Sequence, residues 1–194
     1  KRAMEDKALL STEEASGAEK AELLIVIPAY NEAENIERVV NHLTANFPQY
    51  DYVVVNDGSR DETAAICQRN GYNLLDLPVN LGLAGAFQAG LKYADKYGYQ
   101  YAVQLDGDGQ HRPEYLESMI KKMEEGYDIV IGSRFVGEKK PFTMRMLGSN
   151  LIEMAIRFTT GVNIKDPTSG MRMFSKRMIR EFASGLNYGP EPDP

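Results

Sequence analysis

From Leu23 onward, short apolar runs alternate with segments whose apolar residues recur every three or four positions. The runs fall at about 23–28, 51–56, 72–77, 99–105 and 128–132 and predict strands, while the periodic segments at about 33–47, 61–70, 82–97 and 113–125 predict helices. Strand–helix alternation implies an α/β fold with a mostly parallel sheet, because parallel neighbours need a crossover that packs back onto the sheet. Helix starts carry their own signals. Asp61 precedes Glu62 and an Ala/Ile-rich turn, Pro113 suits a first helical position, and Glu114 and Glu117 favour the positive helix end. The loops left between elements, Pro28–Glu32, Asp57–Arg60 and Asp106–His111, each follow a strand's carboxyl end, the edge at which open α/β sheets take ligands. Three loops are expected to converge on one crevice.

Past residue 132 the alternation stops. Met144, Leu147, Leu151, Met154 and Phe158 make an apolar helix face that reads as a core stripe, with a membrane surface as the other reading, while Arg145, Ser149, Glu153 and Arg157 line another face. Residues 1–22, rich in Glu, Lys and Ala with a Ser16-Gly17 break, read as an extension or linker. The remainder, 23–194, reads as one domain, with 183–194 as an expected truncation point. The 43% apolar and 26% charged residues of the whole 194-residue chain are an ordinary globular mix. No apolar run approaches the roughly 20 residues of a membrane-spanning helix, and no signal-peptide pattern opens the chain. The single cysteine, Cys67, leaves no disulfide framework or cysteine metal site and fits a reducing, cytoplasmic setting. Charge is divided unevenly: residues 132–182 hold ten Lys/Arg against four Asp/Glu, and the rest of the chain twelve against twenty-four. The basic segment suits an anionic partner.

Candidate chemistry concentrates at strand ends. The strand-like run Val103–Leu105 delivers Asp106 and Asp108 into a glycine-loosened loop, where two hard oxygen donors suit a Mg²⁺ or Mn²⁺ ion carrying a diphosphate. Asp106, Asp108, Gln110 and Glu117 also match an EF-hand calcium spacing, but His111 stands where that loop needs glycine and Pro113 follows. His111 reads as a loop hydrogen-bonder. Tyr30 offers a ring and a hydroxyl, Glu32 and Asp57 offer acceptors for base or ribose groups, and Pro28 stiffens the loop. The segment Asn80–Ala86 is a glycine-bearing helix start whose small residues permit close packing on a sheet, and it needs no ligand contact.

The motifs Ile27-Pro28-Ala29-Tyr30-Asn31-Glu32, Val55-Asn56-Asp57-Gly58-Ser59 and Asp106-Gly107-Asp108, in this order and each after a strand, resemble the inverting glycosyltransferases of family 2 with the GT-A fold. Ile131-Gly132-Ser133-Arg134 and Asp166-Pro167-Thr168-Ser169-Gly170-Met171-Arg172 are similar to the branch containing dolichyl-phosphate mannosyltransferase and bacterial polyprenyl-phosphate glycosyltransferases. The resemblance covers about 23–182 and implies a Rossmann-like nucleotide-binding half over 23–132 and an acceptor half over 133–182. It implies that Pro28, Tyr30, Glu32, Asp57 and Asp106 bind a nucleoside diphosphate sugar, that Asp106, Asp108 and Gln110 hold Mg²⁺ or Mn²⁺, and that Arg134, Arg145, Ser149 and Arg172 grip an acceptor phosphate. Asp106, Asp108 and Arg134 are the catalytic candidates.

The reaction so implied moves a hexose from a UDP- or GDP-sugar to a polyprenyl or dolichyl phosphate with inversion, at the inner face of a membrane. A phosphate monoester is ionised at neutral pH and needs positioning more than deprotonation. Transfer to a carbohydrate hydroxyl is the alternative and requires a general base, for which 133–182 offers only Glu153 and Asp166. A non-catalytic nucleotide-sugar-binding homologue is a further alternative, against which the intact Asp106 and Asp108 stand. Nucleic acid is not an expected partner of this acidic chain. Two positions depart from the family pattern: Asn56 replaces a common aspartate and Arg112 a common proline. Relatives also continue beyond the Pro190–Pro194 end, often into membrane helices.

Overall fold

The computed structural model describes residues 22–106, 113–132 and 171–184. Six strands form one sheet: β1 (Leu23–Ala29), β2 (Asp51–Asp57), β3 (Leu74–Leu77), β4 (Tyr101–Gln104), β5 (Ile129–Ile131) and β6 (Arg172–Ser175). The described helices are α1 (Ile36–Asn46), α2 (Thr63–Arg69), α3 (Gly82–Tyr97), α4 (Leu116–Glu124), entered through a 3₁₀ turn at Pro113–Tyr115, and α5 (Lys176–Ser184). Strand order is β3-β2-β1-β4-β6-β5. The β1–β2, β1–β4 and β2–β3 ladders are parallel, and β6 runs antiparallel to both its neighbours. This is the α/β architecture the alternation predicts, with one antiparallel insertion.

Every residue of β1 is buried, as a central strand covered on both faces requires. Side chains alternate across a strand, so Leu23, Ile25 and Ile27 join Ile36, Val40, Leu43, Leu116 and Met119 in a core beneath α1, α2 and α4. Leu24 and Val26 join Ala86, Leu91, Ala94 and Ile179 beneath α3 and α5. The helices after β1 and β2 therefore cover one face and the helix after β3 covers the other. Strand order reverses between β1 and β4, and the reversal opens a crevice at their carboxyl ends.

Close packing of α3 has a specific cause. A Cβ on Gly90 would overlap Val26 Cγ1 outright and lie 2.9 Å from Cγ2, so only glycine lets the helix sit this near β1.

The structure corrects the sequence reading after residue 132. The basic tail supplies β6 and α5, which the apolar pattern does not announce: Met173 and Phe174 are buried on opposite faces, and only four residues carry the strand. Asp108, Gln110, His111, Arg112, Arg134, Arg145, Ser149, Glu153 and Asp166, and the amphipathic segment 144–158, lie outside the described residues.

Candidate active site

Strand β1 ends at Ala29, and the chain then turns through Asn31 at φ +57°, the one non-glycine positive φ among the described residues. Asparagine tolerates this left-handed conformation better than most side chains. The turn is tied to the loop after β2. The Asn31 amide donates to Ser59 Oγ at 2.9 Å, and its Oδ1 accepts from the Arg60 amide at 2.9 Å. The Glu32 amide donates to Thr63 Oγ1 at 2.9 Å, and the Ala33 amide to Asp61 Oδ2 at 3.0 Å. Asp61 also accepts from the Thr63 hydroxyl at 2.5 Å and the Thr63 amide at 3.0 Å, so it closes the turn before α2, whose N-cap is Glu62 with no side-chain cap bond, one residue later than the sequence suggests. Desolvation pulls the Asp61 pKa up, but these hydrogen bonds outweigh it and hold the carboxyl below its ordinary range.

Strand β2 ends in two buried polar residues. Asn56 Nδ2 donates to Asp76 Oδ1 at 2.6 Å on β3, and its Oδ1 accepts from the Ser59 amide at 3.3 Å. A second aspartate at position 56 would face the Asp76 carboxylate, so the departure Asn56 has a local reason. Asp57 Oδ1 accepts from the Leu81 amide at 2.7 Å, linking β2 to the segment that opens α3. An ionised carboxylate has about four lone-pair sites, so this bond leaves acceptor capacity on Asp57. At the end of β4, Gln104 Nε2 donates to Asp106 Oδ1 at 3.0 Å and aims that carboxylate.

These strand ends enclose a cavity of about 500 Å³, a size ordinary for small-molecule sites. Pro28, Ala29, Tyr30 and Glu32 line it from the β1 side, Asp57 from β2 and Asp106 from β4. The opposite wall is Asn80, Gly82, Leu83 and Ala86, from the segment to which the sequence assigns packing alone. A glycine-bearing helix start on the crossover from β3 to β4, the connection that reverses the strand order, was the available signal for them. Three carboxylates and no lysine or arginine are among the described lining residues. Arg172 is not in the lining. It opens β6 one residue before Met173, which pairs with Val103, and so sits at the same sheet edge as Asp106.

Residues 24–183 match the family model Glycosyl transferase family 2. A polyprenol monophosphomannose synthase from Mycolicibacterium smegmatis is 32% identical over 81% of this chain and 63% of its own length. An undecaprenyl-phosphate mannosyltransferase from Micrococcus luteus is 31% identical over 81% of this chain and 68% of its own. Among solved structures, glucosyl-3-phosphoglycerate synthase from Mycobacterium tuberculosis, with Mn²⁺, UDP-glucose and phosphoglyceric acid, superposes with a TM-score of 0.63 at 19% identity, covering 80% of this chain and 57% of that one. A mannosyltransferase from Pyrobaculum calidifontis, with GDP-Man and Mn²⁺, gives 0.57 at 17% identity, covering 84% and 47%. The chain thus spans roughly half to two thirds of these proteins, and the structural likeness establishes the GT-A fold.

Proposed function

The chain belongs to glycosyl transferase family 2, and on that premise we propose that it moves a hexose from a nucleoside diphosphate sugar to a polyprenyl phosphate, with inversion and in dependence on Mg²⁺ or Mn²⁺. One observation carries the reading: Tyr30, Glu32, Asp57 and Asp106, from three separate strand ends, line a single cavity at the switch point of the sheet. Glu32 and Asp57 supply acceptors for base and ribose N–H and O–H groups, and the Tyr30 ring, partly exposed, supplies a flat apolar surface.

The described cavity wall is acidic, and a diphosphate is an anion. A divalent cation would offset the like charge of the two, and the Asp106 carboxylate, aimed by Gln104, has the hard oxygen chemistry for it. Asp106, with Asp108 and Gln110 beyond it, would hold that ion. When bound, it neutralises charge on the departing diphosphate. A non-ester oxygen of the acceptor phosphate forms the new bond to the anomeric carbon from the face opposite the donor diphosphate, whose bond to that carbon breaks as the nucleoside diphosphate leaves. No proton need be removed from the acceptor. Arg134, Arg145, Ser149 and Arg172 would position its phosphate, since guanidinium forks suit phosphate oxygens. The donor half is residues 23–132 and the acceptor half 133–182.

The names of the sequence relatives favour a polyprenyl phosphate acceptor over a carbohydrate hydroxyl. Among the described residues no helix is long and apolar enough to cross a membrane. A lipid acceptor nevertheless places the reaction at a membrane surface, proposed as its cytoplasmic face. The test is a panel of UDP- and GDP-sugars with Mn²⁺ or with EDTA, offered polyprenyl phosphate or oligosaccharide. Expected is a glycolipid of inverted anomeric configuration, formed only with metal. Transfer to oligosaccharide alone would overturn the acceptor, and full turnover in EDTA the metal.

A further inference from the structure

The described residues include four buried polar side chains, Asn56, Asp57, Thr63 and Gln104. Burying a polar group is costly unless it is hydrogen-bonded, so their partners indicate what they are for. Asp57 and Gln104 bear directly on the cavity, through the Leu81 amide and the Asp106 carboxylate. Thr63 is different: it is fully buried, it is not among the cavity's lining residues, and its hydroxyl spans two loops.

A hydroxyl has one proton. That proton goes to Asp61 Oδ1 at 2.5 Å, since a carboxylate only accepts, and an oxygen lone pair is thereby left for the Glu32 amide at 2.9 Å. The other Asp61 oxygen takes the next amide, Ala33, at 3.0 Å. Closing the turn that leads into α2 involves only the bond from the Thr63 amide to Asp61, so the two bonds to the β1 loop are surplus to that local task. They hold consecutive amides just after Asn31, whose left-handed backbone needs holding, and just after Tyr30 in the cavity wall.

We infer that Asp61 and Thr63 are positioning residues for the nucleotide donor: Asp61 orients the Thr63 hydroxyl, and the pair holds the Glu32 and Ala33 amides so that Tyr30 and Glu32 face the cavity in one fixed arrangement. This rests on the cavity being the donor site. Neither residue touches the donor. Losing either loosens the wall, and donor affinity falls while the chemical step, set at Asp106, is retained.

The experiment measures donor binding by calorimetry with Mn²⁺, and KM and kcat for the same sugar nucleotide, for the full chain and for Thr63→Val, Thr63→Ser and Asp61→Asn. Valine keeps the shape of threonine without its hydroxyl, serine keeps the hydroxyl, and the asparagine amide turns an N–H toward one of the donors that Asp61 accepts. Expected is a rise of about tenfold in Kd and donor KM for Thr63→Val and Asp61→Asn, the loss of about one hydrogen bond, with kcat within about twofold. Thr63→Ser is expected to restore wild-type affinity. Amide hydrogen exchange at Glu32 and Ala33 should quicken in the first two variants, a readout independent of turnover. Wild-type affinity and unchanged exchange in Thr63→Val and Asp61→Asn would overturn the inference alone. A folded wild-type chain that binds no sugar nucleotide would overturn the donor reading and this inference with it.

Discussion

Gly58→Ala and Gly71→Ala together separate a local backbone cost from a cost transmitted to the cavity wall. Both glycines are left-handed, at φ +64° and +66°. Placing alanine there costs about 1–2 kcal/mol in either case. Their surroundings differ. A Cβ on Gly71 meets nothing within 4 Å, whereas one on Gly58 comes within 2.7 Å of the Asn80 nitrogen and 2.8 Å of the Val79 carbonyl carbon, backbone atoms that can yield only by moving the segment. Relief requires a retreat of about 0.5 Å or more toward ordinary contact distance. That retreat pulls on the 2.7 Å bond from the Leu81 amide to Asp57 Oδ1, and Asp57 is only 2% exposed. Weakening a hydrogen bond to a buried charged acceptor costs about 1.5–3 kcal/mol. Gly71→Ala should therefore lose about 1–2 kcal/mol, and Gly58→Ala about 2.5–5 kcal/mol, with weakened donor binding only in the latter. Urea denaturation with unchanged m values gives the first comparison and calorimetry with a sugar nucleotide the second. Equal midpoints for the two variants, or unaltered donor affinity in Gly58→Ala, would refute the reasoning.

Asp106→Asn should lower metal-dependent transfer by about 100-fold or more with little change in melting temperature, since it removes a charge from the cavity wall and no core contact; retained Mn²⁺-stimulated turnover would contradict the role. Burial, with the Asp76 charge second, pushes the Cys67 thiol up from 9.0 to about 11. Its folded pKa is raised, so the associated stability is complete below pH 9.0 and is lost as pH rises to about 11, a loss of about 2–3 kcal/mol. Urea midpoints across that range should fall more steeply for the wild type than for Cys67→Ala, and identical slopes would rule the thiol out as the cause. Gly90→Ala should destabilise by about 1–3 kcal/mol despite the gain in helix propensity, because its Cβ overlaps Val26, and Val26→Ala should recover part of the loss. An increase in stability for Gly90→Ala alone would show that α3 is not held against β1 as described.

Periodicity was enough to read β1 through β5 and the helices between them, because an element's burial pattern is written in neighbouring residues: Leu23–Ala29 is apolar throughout and is buried throughout. Motif position was enough to anticipate that Pro28, Tyr30, Glu32, Asp57 and Asp106 would meet, since parallel strands bring their carboxyl ends to one edge. Strand β6 escapes because four residues that begin with Arg172 and are followed by Lys176 carry too little period to be seen, and its antiparallel place between β4 and β5 depends on register with strands far away in sequence. The wall formed by Asn80, Gly82, Leu83 and Ala86 escaped for a related reason: only the crossing of α3 to the opposite face of the sheet turns that helix start toward the strand ends.

The amino-acid sequence alone is enough for the kind and order of the elements from β1 through β5 and for which polar residues stand at their ends. The tertiary structure decided which of those ends touch and what holds them. Asn31 reaches Ser59 across 28 positions, Glu32 reaches Thr63 across 31, and Asp57 reaches Leu81 across 24. Such bonds form only after crossovers have been closed and strands set in register, and no local pattern encodes a distance that the packed sheet alone creates.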